Sequence, residues 1–592
     1  MNRYAKQSHS VFAVALMCAL FVATVKADDE PVARLVVFGD SLSDGGFYIA
    51  SNPLIPPGAG SFTTNPDPVA VEVLAFALRL PLATVNDEDG TNYAVGGARV
   101  TEPNLLSVPI TTQIDNFLAA GDTFSSRDAV YIQGGGNDLF AFVADGATDT
   151  SILTDAATEL AVQVERLEDL GVGRIVTMAI QSFGIGDVQL FNETYEGELV
   201  SRGVNVLYFD NDSLYDEIVA SADEFGITNL TDTACTVSSL ICTPFSFVEA
   251  DANETYLRAD GVHPAGIAQL IQGQAIASLV VAPEQIGQLP YAAQALFAGQ
   301  RALYWQVMQN GLGQDVGDSA YYGDIARHAF GNGGSNQRVS VREEGILANV
   351  GVDHQFSATL GAGFSFAYST GDGRFGSDRG DYDVDAFSGS LYVRRQFGAL
   401  NVRGDLSLGR VDYGDLTRKV VLGPTSRFHS DETNGTYTAL RVGVSYDIWS
   451  NDFFTLGSQG ALSYEQAEVD GYSEDEELST AAEFGDQELQ STLGSIGFFA
   501  QVVGQGTFGY FAQANYMHEF NDDSRDITMT PFGAPMSFTS LIQSTDDDYL
   551  SYDLAITIDL NQAISLRTGV SGYAFRGELD SNTILVGVTI SL

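Results

Sequence analysis

The sequence predicts two architectures in series. An α/β unit built on a parallel sheet between helices comes first, and a C-terminal 12-stranded transmembrane β-barrel follows. Three observations predict this. Up to residue 285, short apolar runs alternate with stretches of helical period. Beyond residue 336 the period drops to two, over roughly a dozen segments. An export signal stands ahead of both.

The signal comes first in the chain. Arg3 and Lys6 precede an apolar run from Val11 to Val25, and Val25-Lys26-Ala27 offers small residues at a cleavage site, so residues 1–27 read as a signal peptide. The run is too short to favour a membrane span. Cys18 is lost with it. The remaining cysteines, Cys235 and Cys242, lie close in sequence, and export favours a disulfide between them. Two cysteines without a nearby histidine make a poor zinc site, nothing else has metal-ligand spacing, and no cofactor is expected.

The α/β elements follow in order. Leu35 to Phe38 reads as a buried strand, broken by Gly39, with Ser41 in the turn beyond it. A helix over Val69–Leu80, a strand at Asn92 and a helix near Thr112–Leu118 come next. Ala129 to Gln133 is a further strand, followed by a helix from Leu153 to Leu170. Arg174–Met178 and Val204–Phe209 read as strands, and a helix over Ala265–Val280 closes the unit. Folds of this kind place their sites at the carboxyl ends of the strands.

Several residues with chemistry fall at such ends. Ser41 is one, although a serine after a strand is often a turn former or helix cap. A serine nucleophile needs a base, and His263 is the one histidine between Asp28 and the second half of the chain. Asp260, three residues earlier, is placed to orient it. A blander reading makes Asp260-Gly261-Val262-His263 a capped turn, with Pro264 in the first turn of the next helix. Gly134-Gly135-Gly136-Asn137-Asp138 follows a strand and lets Asn137 project an amide. Thr91-Asn92-Tyr93-Ala94-Val95-Gly96-Gly97-Ala98 adds a glycine pair.

These four segments, in this order, resemble the blocks of the GDSL esterases, the SGNH-hydrolase family, over about residues 34–280. The Gly39-Asp40-Ser41-Leu42-Ser43 segment differs from the G-x-S-x-G elbow at its fifth position. The resemblance implies a three-layer passenger in which Ser41 is the nucleophile, His263 its base and Asp260 the orienting carboxylate. It also implies that Asn137 and Gly97 donate to the oxyanion, Gly97 being favoured over Gly96 by its spacing from Asn92. Gly45-Gly46-Phe47 departs from the Thr-Gly-Asn of many relatives, which affects the mouth of the site more than its chemistry.

Pro283 to Asn310 reads as a helix of moderate apolarity, followed by the Gly/Ser/Asn-rich stretch Gly331–Asn336. In the barrel region Leu550, Tyr552, Leu554, Ile556, Ile558 and Leu560 alternate with polar and small residues, and the last strand puts Ile584, Val586, Val588, Ile590 and Leu592 on one face. Signal, passenger, linker helix and terminal barrel together resemble a type V autotransporter, and the whole chain resembles the autotransporter esterases of the GDSL family. The expected division is signal 1–27, passenger 28–285, linker with a lumen-threading helix 286–335, and barrel 336–592. Leu592 departs from the aromatic residue that more often ends such barrels.

The net charge of −49 disfavours nucleic acid and repels anionic headgroups or lipopolysaccharide unless divalent cations mediate. The expected partners are an ester or lipid substrate, outer-membrane lipids and, transiently, the barrel assembly machinery. The function expected is a cell-surface esterase. Its rivals are a noncatalytic adhesin on the same scaffold and a transport barrel with a plug domain.

Overall fold

The computed structural model describes residues 32–104, 107–181, 188–310, 315–333, 339–475, 477–502, 507–521, 524–542, 547–576 and 579–591. The expected signal peptide and Leu592 lie outside these residues.

In the first unit, strands β1 (Arg34–Phe38), β2 (Asp128–Ile132), β3 (Arg174–Met178) and β4 (Leu207–Phe209) form a parallel sheet in that spatial order. The expected strand at Asn92 is reduced to a bridge: Val37 pairs with Asn92 in parallel, and the Tyr93 amide donates to the Val37 carbonyl at 2.8 Å. Residues 91–95 thus flank β1 on the side away from β2. The chain reverses its direction of travel across the sheet at β1, and the crevice beyond such a strand end is where open α/β sheets bind ligands.

Successive side chains of a strand point to opposite faces, and two helix layers cover them. Val36, Phe38, Val130, Ile132 and Tyr208 pack against α2 (Ile110–Ala119), α3 (Gly136–Ala144), α4 (Ser151–Asp169) and α5 (Val188–Arg202). Leu35, Val37, Tyr131, Met178 and Phe209 pack against α1 (Ala70–Ala77), α6 (Asn211–Ala220) and α8 (Gly266–Ile286). Between α6 and α8 lie β5 (Asn229–Thr233), the short α7 (Ala252–Thr255) and β6 (Tyr256–Arg258).

The sequence predicts one helix over Pro283–Asn310. Instead α8 runs on to Ile286, the chain breaks at Gly287-Gln288, and α9 (Leu289–Asn310) begins. A β-carbon on Gly287 would stand 2.9 Å from Ile527, so the break is tightly packed.

Twelve strands close a barrel around α9. They are β7 (Ser319–Asn332), β8 (Val341–Ser357), β9 (Leu360–Phe375), β10 (Gly380–Phe397), β11 (Leu400–Leu422), β12 (Thr425–Ser450), β13 (Phe454–Val469), β16 (Gln487–Val502), β17 (Phe508–Glu519), β20 (Asp548–Asp559), β21 (Ile564–Arg576) and β22 (Leu579–Ser591), with β22 pairing back onto β7. A small separate sheet is made by β14 (Tyr472–Ser473), β15 (Ala482–Phe484), β18 (Arg525–Pro531) and β19 (Phe538–Ile542), which the period-two pattern does not announce. The barrel opens earlier than the expected residue 336. The stretch 331–336 therefore begins with the last two residues of β7 rather than preceding the barrel, and its last residues lie outside those described. Strand β7 is hard to recognise because its inward side chains include Asp324 and His328, both buried.

The apolar faces point outward. Ile346, Val350, Leu391, Leu440, Ile496, Ile584 and Val586 are exposed, whereas Arg394, Asp353, Asp405 and Arg567 are buried inside. This is the arrangement of a barrel in lipid. Connections at one end are short, as at Ser357–Leu360 and Phe397–Leu400, and the small sheet rises from the other end. The α/β unit sits at that second end.

Candidate active site

The site forms where β1 ends. Gly39 leaves the strand, and its amide and carbonyl are both held by the side chain of Gln113 on α2, at 2.9 and 2.8 Å. This clamp fixes the turn carrying Ser41, whose residue is 9% exposed. Asp40 turns inward and accepts from the Leu42 amide at 3.0 Å. Asp44 accepts from the amides of Gly46, Phe47 and Gly96, which ties the turn to the 91–98 segment.

His263 reaches the turn from the loop before α8. Its Nε2 lies 2.8 Å from Ser41 Oγ. Its Nδ1 lies 2.9 and 3.1 Å from the two oxygens of Asp260. A carboxylate can only accept, so the Nδ1 proton faces Asp260 and Nε2 is left to accept from Ser41. Burial pushes the Asp260 carboxyl up, but hydrogen bonds from His263 and Ser239 and the charge of His263 outweigh it and hold the group well below the usual carboxylate range. The turn is indeed capped, since Asp260 Oδ1 accepts from the amides of Val262 and His263. It does not cap the helix, however. Helix α8 starts at Gly266, beyond Pro264, and the Gly266 amide donates to Thr64 instead.

The other two predicted segments converge on the same place. Gly97 adopts a φ of +80°, and neither its amide nor that of Ser41 meets an acceptor among the described residues. The Gly96 amide is already committed to Asp44. Asn137, at the second position of α3, donates one N–H to the Ala98 carbonyl at 3.0 Å. The next residue, Asp138, holds Arg99 at 2.9 Å and the Val100 amide at 3.0 Å. Together these bonds fasten the glycine loop beside Asn137.

Residues 35–276 match the GDSL-like Lipase/Acylhydrolase family model, and residues 326–571 match the Autotransporter beta-domain. Esterase EstA of Pseudomonas aeruginosa and Esterase EstA of Pseudomonas putida are each 27% identical to the chain, over 98% of it and 98% of their own length. Lipase 1 of Photorhabdus luminescens is 22% identical over 95% of the chain and 96% of its own length.

The chain is a GDSL-family ester hydrolase joined to an autotransporter barrel. It is a carboxylic ester hydrolase of the outer membrane. In this GDSL enzyme Cys235 and Cys242 are bonded to each other. Several residues around the site escape the sequence patterns. Gln113 could have been noticed as a polar residue on the apolar face shared by Ile110, Ile114 and Phe117. Phe62 stands against the His263 ring with centroids 5.0 Å apart, and Tyr48 follows at 6.5 Å from Phe62. A β-carbon on Gly96 would run into Phe62 at 2.3 Å, so only glycine admits this aromatic wall. No local signal marks Phe62 or Ser239.

Proposed function

We propose that this GDSL enzyme hydrolyses carboxylic esters, including acyl esters of lipids, by a Ser41–His263–Asp260 relay held outside the cell. The observation that carries the reading is the 2.8 Å contact between Ser41 Oγ and His263 Nε2, with Asp260 on the far side of the ring. His263 takes the proton as Ser41 Oγ attacks the ester carbonyl, and Asp260 stabilises the imidazolium that results. The oxyanion meets the amides of Ser41 and Gly97 and the remaining N–H of Asn137. Each such donor is worth on the order of 10²–10³ in rate. Collapse expels the alcohol, which receives its proton from His263. Water then attacks the acyl-enzyme with His263 again as base.

Two features support the substrate class and the address. The wall of Phe62 and Tyr48 beside His263 suits an acyl chain, and Ile49 and Leu54 on the adjoining loop are exposed apolar groups. The α/β unit sits at the barrel end that carries the small sheet, and outer-membrane barrels keep their short turns on the periplasmic side. A transport role fits less well, because α9 occupies the lumen: Tyr304 donates to Asp405 there at 3.0 Å and Arg301 pairs with Glu465 at 2.6 Å.

The test uses intact cells and p-nitrophenyl esters from acetate to palmitate. The Ser41→Ala chain should lose about 10⁴-fold or more in kcat, and protease added outside should abolish the activity of the native chain. Equal hydrolysis by both chains overturns the mechanism. Turnover confined to acetate removes the lipid part of the reading, and activity that survives protease until the outer membrane is opened removes the address.

A further inference from the structure

We propose that Ser239, presented by the loop that the Cys235–Cys242 disulfide closes, is a positioning residue for the catalytic pair Asp260–His263. The inference rests on the Ser41–His263–Asp260 reading above.

The loop is short, with the two cysteines seven residues apart. Its first three residues, Thr236, Val237 and Ser238, are exposed, whereas Ser239 is completely buried. All three polar groups of Ser239 are engaged with the site or its support. Its amide donates to Asp260 Oδ2 at 2.8 Å. Its Oγ lies 3.0 Å from His263 Nδ1. Its carbonyl accepts from the Asn65 side chain at 2.8 Å. Asn65 is itself buried and bonds the 61–63 backbone on either side of Phe62.

The geometry gives Ser239 a task that no other described residue shares. Asp260 Oδ1 is satisfied within its own turn, by Val262 and His263. Among the described residues, Ser239 is the one residue outside that turn whose donors reach the carboxylate. It stops the carboxylate from rotating about its Cβ–Cγ bond. The Nδ1 proton faces Asp260, so Ser239 Oγ acts as a second acceptor on the same N–H and holds the ring in plane. Phe62 covers the ring from the side. The imidazole is therefore fixed by two loops, one closed by a disulfide and one gathered around Asn65.

The disulfide closes a loop that also holds a turn of its own, in which the Ile241 amide donates to the Ser238 carbonyl and the Cys242 amide to the Ser239 carbonyl. Thr236 bonds to the Ser246 carbonyl, and the Cys235 amide donates to the Ala259 carbonyl, one residue before Asp260. The cross-link joins that anchored end to Cys242, three residues past Ser239. Cutting it loosens the hold of Ser239 on both catalytic partners and, through Asn65, on the 61–63 backbone, while the sheet and Ser41 stay in place. Misplacing a catalytic group by about 1 Å costs on the order of 10²-fold.

The experiment compares the full-length chain with Ser239→Ala, the double variant Cys235→Ser/Cys242→Ser, Ser238→Ala and Ser41→Ala in detergent micelles. The readouts are kcat, KM and the pH profile of kcat/KM on p-nitrophenyl butyrate, with a fluorophosphonate label counting folded sites. Ser239→Ala and the cysteine variant should each lower kcat about 10- to 100-fold per labelled site, with KM within twofold. The acid limb of kcat/KM should move to lower pH, because the imidazolium has lost support. Among the described residues, the charged groups facing His263 are Asp260 and Asp40. Both are present in every chain compared, so the displacement isolates Ser239. Ser238→Ala should match the parent. A Ser239→Ala enzyme with parental kcat and an unmoved limb overturns the positioning role, as does a raised KM at unchanged kcat. If Ser41→Ala is itself active, the Ser–His–Asp reading falls first and this inference with it. An inert Ser41→Ala beside an unaffected Ser239→Ala sinks the positioning role alone.

Discussion

Asp40 stands one residue before Ser41 and is 2% exposed, and Asp44 is fully buried three residues after Ser41. Burial pushes both groups up to about 6, against the hydrogen bonds that each accepts, and the charge of Asp40 adds to the effect on Asp44. In the unfolded chain an aspartate titrates near 3.9. The folded state thus holds these protons more tightly than the unfolded one. The stability the two groups contribute is complete below about pH 4 and is lost as pH rises through about 6. The melt of the passenger helices, followed at 222 nm, should therefore fall in temperature between pH 5 and pH 7.5. Asp40→Asn should remove part of that fall, because an amide carries no charge to bury. Gln133 helps, since its Oε1 is buried without a partner among the described residues and its amide group already faces Asp40. An unchanged pH slope in the variant would show that burial of Asp40 is not the cause. Asp40 and Ser41 were legible in sequence because they sit in one short segment after an apolar run. Gln113 and Ser239 were not, because their contacts join residues 74 apart in one case and 21 to 174 apart in the other. Local pattern has no access to such pairs.

At the level of elements, α9 and the barrel wall were chosen for each other. Phe297 stacks on Tyr437 with centroids 4.4 Å apart, and Gly409 on β11 leaves the space its ring fills. A β-carbon on Gly409 would lie 2.3 Å from that ring. Tyr437 blocks the ring's retreat. Trp305, farther along the helix, is approached by the guanidinium groups of Arg403 and Arg441, at 4.9 and 4.2 Å from its ring. Gly409→Val should cost about 1–3 kcal/mol through overpacking. It should appear as a lower temperature for the loss of the compact, heat-modifiable band on gels. Adding Phe297→Ala should bring the double variant close to Phe297→Ala alone, since the clash then has no second partner. Additive losses would place the strain elsewhere. The twelve strands could be read from alternation because lipid demands an apolar outer face while the lumen tolerates charge. The start of β7 and the small sheet could not. Their residues answer to α9 and to the α/β unit above, so their pattern serves partners that sequence periodicity does not name.

For the whole molecule, the passenger does not hang on a free tether. The apolar core of its α1, α6 and α8 face continues through α9 into the barrel wall. Specific pairs then lock the two units. Asn205 exchanges two hydrogen bonds with the Thr539 backbone, at 2.8 and 2.7 Å. Glu217 on α6 binds Arg427 of β12 at 2.6 Å and both the amide and hydroxyl of Ser479. Gln274 on α8 accepts from the Gly423 amide at the tip of the β11–β12 hairpin. The Glu217 and Arg427 side chains are only 16% and 13% exposed, so their pairing is poorly screened by salt. Removing one partner of a buried pair strands the other, at about 3–5 kcal/mol, somewhat less here because both retain some solvent. Reversing the charge adds repulsion. Glu217→Arg should therefore speed hydrogen exchange in α6 and in the hairpin around Gly423, and pairing it with Arg427→Glu should restore much of the protection. Turnover of a small soluble ester should stay within about twofold, because Ser41, His263 and Asp260 bond to none of these residues. Exchange that does not respond to Glu217→Arg would mean that the apolar core alone holds the passenger. If turnover fell together with protection, the barrel would be setting the geometry of the site as well as carrying it.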